Sequence, residues 1–254
     1  MKVRLVMAMG IVFVMLCNLG CVSIMHSREV AMGQHPQSFQ KEITKTLRAD
    51  YLLYLPEDYQ DSQEKWPLML FLHGAGERGD DLSKLETHGP PKLIAKEGKS
   101  FPFIIVSPQC PQDGLWTHEI QIDTLNALLD DIISRYRIDE DRIYVTGISM
   151  GGFGAWSLAI AYPDRFAAIA PICGGGNPDD AERITHLPIW VFHGAKDTVV
   201  PLQRSQEMVT ALDKAGTNVK FTVYPDAEHD SWTETYNNPE LYEWFLKQTR
   251  SSRE

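Results

Sequence analysis

An α/β domain built on a mostly parallel sheet is the fold this sequence predicts, and three observations predict it. From residue 67 onward, short continuous apolar runs alternate with amphipathic helical patterns, as buried strands and their covering helices do. The apolar runs end in polar or glycine-bearing turns, the side of such a sheet on which chemistry collects. The chain is 254 residues long and 43% hydrophobic, enough for a single large core.

Residues 1–21 are a targeting segment. Lys2 and Arg4 precede an apolar run of roughly a dozen residues, too short to cross a bilayer as a helix and suited to a signal core. Asn18-Leu19-Gly20-Cys21 then places a small residue before a cysteine. This resembles a bacterial lipoprotein signal, with Cys21 the lipidated residue, although Asn18 stands where that pattern usually has an aliphatic residue. A plain signal peptide is the alternative. Either implies export, to the periplasmic or outer-membrane face or into the medium. Residues 22–41 are polar and read as a tether. The catalytic domain is expected over 42–250.

Within that domain, residues 42–55 alternate and are rich in β-formers, which suggests an antiparallel strand or part of a hairpin. Central strands are expected at 67–72, 103–106, 143–147, 166–172, 188–192 and 219–224. Helices are expected to begin near Pro91, over 124–136 where Leu125, Leu128, Leu129, Ile132 and Ile133 form a stripe, over 153–162, over 203–215 with Gly216 as the stop, and over 239–248. The link between 174 and 187 is short, which leaves no room for a cap domain and predicts an open, shallow site.

The densest signal is Arg142-Ile143-Tyr144-Val145-Thr146-Gly147-Ile148-Ser149-Met150-Gly151-Gly152. Its first half is a buried strand, its second half matches G-x-S-x-G, and a helical pattern follows. In that context the serine sits on a tight turn that lifts its hydroxyl off the sheet edge. A serine hydroxyl is a weak nucleophile and needs a base, which needs an orienting carboxylate. Serine, then acid, then histidine is the chain order of the α/β-hydrolase arrangement. Of eight histidines only His229 follows the late strands. Asp197, in the turn after a strand, is the favoured acid, and Asp226 is second choice. The oxyanion is expected to meet the Met150 N–H and one from His73-Gly74-Ala75-Gly76, with Ala75 favoured and Gly76 the alternative. His73 then pins that loop. Trp116 and Trp232 are candidate walls of the substrate pocket, with packing as the competing role. Glu77, Arg78 and Asp80 can stiffen the oxyanion loop, and Arg78 could instead meet a substrate carboxylate.

Cys110 and Cys173 each follow a strand end, without metal-ligand spacing, and read as unbridged packing residues, with a bridge between them as the alternative that an exported protein permits. No metal or cofactor is called for. The net charge of −10, without a long basic run, argues against nucleic acid and against electrostatic binding to anionic lipid. Membrane contact would come only through lipid on Cys21.

Four stretches together carry a resemblance: residues 72–80, the elbow at 147–152, Val191-Phe192-His193-Gly194 with Asp197, and His229-Asp230-Ser231-Trp232. They resemble secreted carboxylesterases of the α/β-hydrolase superfamily, of the predicted-peptidase or phospholipase/carboxylesterase-like type, near the dienelactone-hydrolase and feruloyl/acetylxylan-esterase branches. The resemblance spans about residues 42–248. It implies the triad Ser149, Asp197 and His229 and a serine carboxylesterase acting on short-chain, aryl or polysaccharide-linked esters. A serine peptidase of the superfamily and a non-catalytic surface-binding module are the alternatives.

Overall fold

The structure, a computed structural model, describes residues 38–42 and 44–250. The leader, Cys21 and most of the tether lie outside the described residues. Residues 38–42 and Thr44 carry no regular secondary structure, and everything below concerns the unit that begins at Lys45.

Seven strands form one sheet: β1 (Tyr51–Tyr54), β2 (Trp66–Leu72), β3 (Ile104–Pro108), β4 (Ile138–Ile148), β5 (Ala168–Ile172), β6 (Trp190–Gly194) and β7 (Lys220–Tyr224). Their order is β1-β3-β2-β4-β5-β6-β7, and only β1 runs antiparallel, against β3. The helices are α1 (Gly89–Glu97), α2 (Glu119–Arg135), α3 (Met150–Ala161), α4 (Gln203–Lys214), α5 (Ser231–Asn237) and α6 (Pro239–Leu246).

Strand periodicity sorts the core into two layers. Leu68, Leu70 and Leu72 of β2 point to one face, where Leu125 and Leu129 of α2, Trp156 of α3 and Met208 of α4 cover them. Met69 and Phe71 point to the other, packed with Leu93 of α1, Tyr236 of α5, and Leu241 and Phe245 of α6. Both faces of the central strands are therefore dry, which is why their sequence reads as unbroken apolar runs.

Several elements differ from their sequence boundaries. The strand expected within 42–55 covers only Tyr51–Tyr54, because it pairs with the short β3 alone. β4 starts five residues earlier than its apolar run: Ile138 pairs with Trp66, and the register shifts before Leu68 meets Ile143. Main-chain pairing thus carries the polar stretch 139–142 into the strand against its side-chain pattern. Helix α2 likewise begins at Glu119, well before its apolar stripe. The short α5, directly after His229, has no counterpart in the sequence reading.

The carboxyl ends of the inner strands align. Leu72 lies opposite Gly147, Ile148 opposite Ile172, Ile172 opposite Phe192, and Gly194 opposite Tyr224. The turns leaving β2, β4, β5, β6 and β7 therefore share one rim. Among the described residues no helix is long and apolar enough to cross a membrane.

The tightest point on that rim is the junction of β4 and α3. A Cβ on Gly151 would lie 1.9 Å from the Leu72 carbonyl oxygen, and one on Gly147 would lie 2.4 Å from the Gly151 carbonyl oxygen. These neighbours are main chain and cannot move aside. Gly151→Ala should therefore cost about 3 kcal/mol or more of stability, at the severe end of overpacking. Urea unfolding of wild type and variant side by side measures the loss.

Candidate active site

Ser149 occupies the turn between β4 and α3 with φ 51° and ψ −115°, a backbone conformation costly for a non-glycine residue. Its amide donates to the Ile172 carbonyl at 3.0 Å, tying the strained residue to the neighbouring strand. The reward is position: the hydroxyl stands clear of the sheet edge, 3.0 Å from His229 Nε2. His229 Nδ1 lies 2.7 Å from Asp197 Oδ2. Three residues separated by 48 and 32 positions in the chain thus form one continuous hydrogen-bonded line.

The turns after β6 and β7 reach this geometry by binding each other. Ala195 N–H donates to the Tyr224 carbonyl and Lys196 N–H to the Ala227 carbonyl, at 2.9 and 3.0 Å. A Cβ on Gly194 would lie 2.1 Å from the Glu228 carbonyl oxygen, so the two main chains touch. Asp197 and His229 leave this seam side by side. Asp226, the second-choice acid, points elsewhere and pairs with Lys196 on the surface.

Asp197 is buried, and its charge is well supplied with donors. Oδ1 accepts from the Val199 and Val200 amides, both at 2.9 Å, while Oδ2 takes His229. Burial by itself would raise this carboxyl. The bond from His229 and the two amides outweigh it, and the group sits below the usual carboxylate range. A second histidine, His193, lies behind it with Nε2 3.2 Å from Oδ2. The sequence reading included His193 in a motif and gave it no role.

Beneath the serine, Cys173 also adopts a positive φ, and its Sγ lies 3.3 Å from the Ser149 amide. Cys173 and Cys110 are both unbridged. Cys173, Asp197 and His229 present ligand atoms within 4.8 Å of one another. Two of those atoms already share a hydrogen bond, and burial holds the Cys173 thiol far above its ordinary range and protonated, so the set is a poor match for a metal.

The Ser149 amide is spent on Ile172, and α3 opens at Met150, whose N–H falls in the first turn and has no intrahelical acceptor. Across from it, Gly74 is extended (φ −76°, ψ −178°) and leads into a 3-10 turn, Ala75–Glu77. Ala75 and Gly76 are exposed there. His73 beneath them is buried. Its Nε2 accepts from the Cys110 amide at 2.9 Å, and Nδ1 meets the Gly74 carbonyl at 2.5 Å. Burial lowers His73 to about 4, so at neutral pH the ring is uncharged, with its proton on Nδ1. Arg78 Nε donates to the Ala75 carbonyl at 3.0 Å, which commits the guanidinium to bracing the loop.

Trp116 is not a pocket wall. It is 1% exposed, and its indole N–H donates to the His73 carbonyl at 3.0 Å, so it supports the oxyanion loop from below. Residue order could not reveal this, because a tryptophan after a strand end can turn outward or inward. Trp232 is half-buried between two imidazoles, edge-on to His229 and to His88, each with ring centres 5.2 Å apart. It borders a hollow with His88, Lys92 and Thr233.

A sheet of this order, with a serine on the strand-to-helix turn and a histidine and aspartate on the last two turns of its rim, defines the α/β-hydrolase class. Residues 113–243, just over half of the chain, match the dienelactone hydrolase family. The chain belongs to that family. The matched segment holds Ser149, Asp197 and His229 and leaves out the loop at 73–78.

Among curated relatives, a bifunctional acetylxylan esterase/xylanase of Neocallimastix patriciarum is 31% identical over 160 residues, 61% of this chain and 22% of that protein. A "Probable feruloyl esterase C" of Aspergillus terreus is 28% identical over 164 residues, 63% of this chain and 58% of that protein. The crystal structure of a thermostable esterase is similar at 34% identity and a TM-score of 0.67, covering 78% of this chain and 59% of that one. The chain thus spans between about a fifth and three-fifths of the length of these relatives.

Two outcomes follow from this geometry. The unfolded chain binds a proton at residue 73 between pH 6.5 and about 4, and the folded chain does not. Stability at this residue is therefore intact above pH 6.5 and falls as the pH drops towards 4, by at most about 3 kcal/mol. Thermal unfolding across that window should show a steeper acid loss for wild type than for His73→Gln. For the ester hydrolysis proposed below, Asp197→Asn, which keeps the side-chain shape and removes the charge facing His229, should lower kcat on an aryl ester by about 10³-fold or more.

Proposed function

We propose that this chain is a serine carboxylesterase with Ser149 as nucleophile, His229 as general base and acid, and Asp197 as the group that orients and charge-balances His229. The observation that carries the proposal is the unbroken line from Ser149 Oγ to His229 Nε2 at 3.0 Å and from His229 Nδ1 to Asp197 Oδ2 at 2.7 Å. His229 Nε2 takes the hydroxyl proton as Oγ attacks the ester carbonyl. The tetrahedral oxyanion accepts from the Met150 N–H and from Ala75 or Gly76 across the cleft. His229 then gives its proton to the leaving alcohol as the C–O bond breaks. The acyl-serine is released by water, activated by the same imidazole. Neither metal nor organic cofactor takes part.

Short-chain, aryl or polysaccharide-linked carboxylic esters are the substrates we favour. Two observations support this class. Curated relatives carry acetylxylan and feruloyl esterase in their names. The link between β5 and β6 is short, a 3-10 segment, Pro178–Ile184, whose Ala181 and Ile184 are packed into the core beside α3 and α4. A bulky alcohol can then approach without a lid having to open. Trp232 would contribute the polar-tipped aromatic edge beside the catalytic imidazole.

The leader pattern supports export of this enzyme, with Cys21 as the site of a lipid anchor at the periplasmic or outer-membrane face. The mass of the mature protein distinguishes a lipidated Cys21 from a plain cleaved terminus.

Ser149→Ala should lower turnover of p-nitrophenyl acetate and methyl ferulate by about 10³-fold or more and abolish labelling by a fluorophosphonate probe. A variant that keeps most of its activity would remove Ser149 from the role. Across p-nitrophenyl esters, kcat/KM should peak at acetate to butyrate and decline for long chains.

A further inference from the structure

His193 lies at the end of β6 with no exposed surface, and the chemistry assigned to the triad does not use it. Its surroundings are specific. Nε2 is 2.9 Å from the Val200 carbonyl oxygen and 3.2 Å from Asp197 Oδ2. Both of those atoms only accept, so Nε2 must carry a proton. On the opposite edge of the ring, Nδ1 is 2.8 Å from the Ser205 hydroxyl, which also lies 2.8 Å from the Gly174 carbonyl. The hydroxyl has a single proton, so the Gly174 carbonyl and an unprotonated Nδ1 compete for it. Burial holds the ring below the ordinary histidine range, against the pull of Val200 and Asp197, which favours the neutral form with its single proton on Nε2.

We infer that His193 is a positioning residue for the acid of the triad, holding Asp197 by donating its Nε2–H to the Val200 carbonyl while the same N–H edge stands close behind the carboxylate. The hold acts by two routes. One is a direct electrostatic contact, because Oδ2, which accepts from His229 Nδ1–H at 2.7 Å, also has His193 Nε2 3.2 Å away. The other runs through Val200, whose carbonyl is fixed by His193 while its amide donates to Oδ1 at 2.9 Å. Val200 is thereby clamped at both ends of its backbone, and the carboxylate cannot rotate without breaking bonds on both oxygens. Ser205, on α4, fixes the plane of the His193 ring and connects it to the turn after β5.

The direct contact also has an electronic consequence. An N–H on the rear of Oδ2 draws negative charge away from His229, so the carboxylate stabilises the imidazolium less strongly than it would alone. The titratable groups around this pair are His229 and Cys173, and Cys173 stays protonated. Removing the His193 proton donor therefore leaves more negative charge facing the imidazolium that His229 forms during turnover.

The role rests on Ser149, His229 and Asp197 acting together, and the test separates the two. The pH profile of kcat/KM for p-nitrophenyl acetate is compared in wild type, His193→Phe and His193→Gln. The Phe variant loses the donor, while Gln can present an amide N–H near the place of Nε2. In His193→Phe the acid limb should move up by roughly half a pH unit to one unit, the scale of one lost charge-assisted hydrogen bond. Its kcat should fall about tenfold with KM changed less than about twofold. His193→Gln should recover most of both. An acid limb that stays in place in His193→Phe, or a Gln variant no better than Phe, overturns the inference.

Should neither variant fold, ¹⁵N-histidine spectra of the wild-type protein give the answer independently of turnover. A third histidine, besides His73 and His229, should show a solvent-protected ring N–H, assigned to Nε2. An unprotonated Nε2 at His193 overturns the inference. Undiminished activity in Ser149→Ala would instead overturn the esterase reading and leave this spectrum to be judged by itself.

Discussion

At the end of β4 the first turn of α3 lies on the main chain leaving β2, with no side-chain layer between them. Gly151 faces the Leu72 carbonyl and Gly147 faces Gly151, each at a distance a Cβ could not occupy. This contact lets a strand reverse into a helix within one residue. Ser149 absorbs the reversal as a positive φ, held by its amide bond to Ile172. Strain of this kind costs of order 1–3 kcal/mol and persists only where the surroundings impose it. Here the surroundings are two central strands buried on both faces. The hydroxyl is therefore held out from the rim by packing, before any catalytic partner is considered.

The partners arrive by a second close contact. The turns after β6 and β7 share main-chain hydrogen bonds at Ala195 and Lys196, and Gly194 permits their approach. Asp197 and His229 are consequently presented as a pair by one two-stranded seam. Behind the pair, the Val199 and Val200 amides hold the carboxylate, with His193 Nε2 3.2 Å from Oδ2. Beside it, the edge of Trp232 restricts the imidazole. Backbone contacts set the line, and buried side chains keep its members from turning.

The loop after β2 is organised differently. It is short, exposed at Ala75 and Gly76, and held from beneath by the uncharged ring of His73, the indole of Trp116 and the guanidinium of Arg78. These three supports act on carbonyls and on the Cys110 amide, so the loop is tied to its buried surroundings by polar bonds rather than by side-chain packing of its own.

Strand positions, the α/β class, the serine turn and the meeting of Ser149, Asp197 and His229 were legible along the chain. Each follows from local constraints: side-chain period, the need for glycine where main chains touch, and the sheet edge to which each turn belongs. The strands buried on both faces announced themselves because no alternating pattern survives there. What local pattern could not reach was direction. Whether Trp116 turned inward, whether β4 extended through its charged stretch to meet Trp66, and whether His193 faced the acid four residues later depended on neighbours distant in sequence. A side chain's type and spacing determine what it can do. Which partner it meets is settled only when other strands and loops close around it, because burial energy is a sum over contacts that the linear chain does not yet possess.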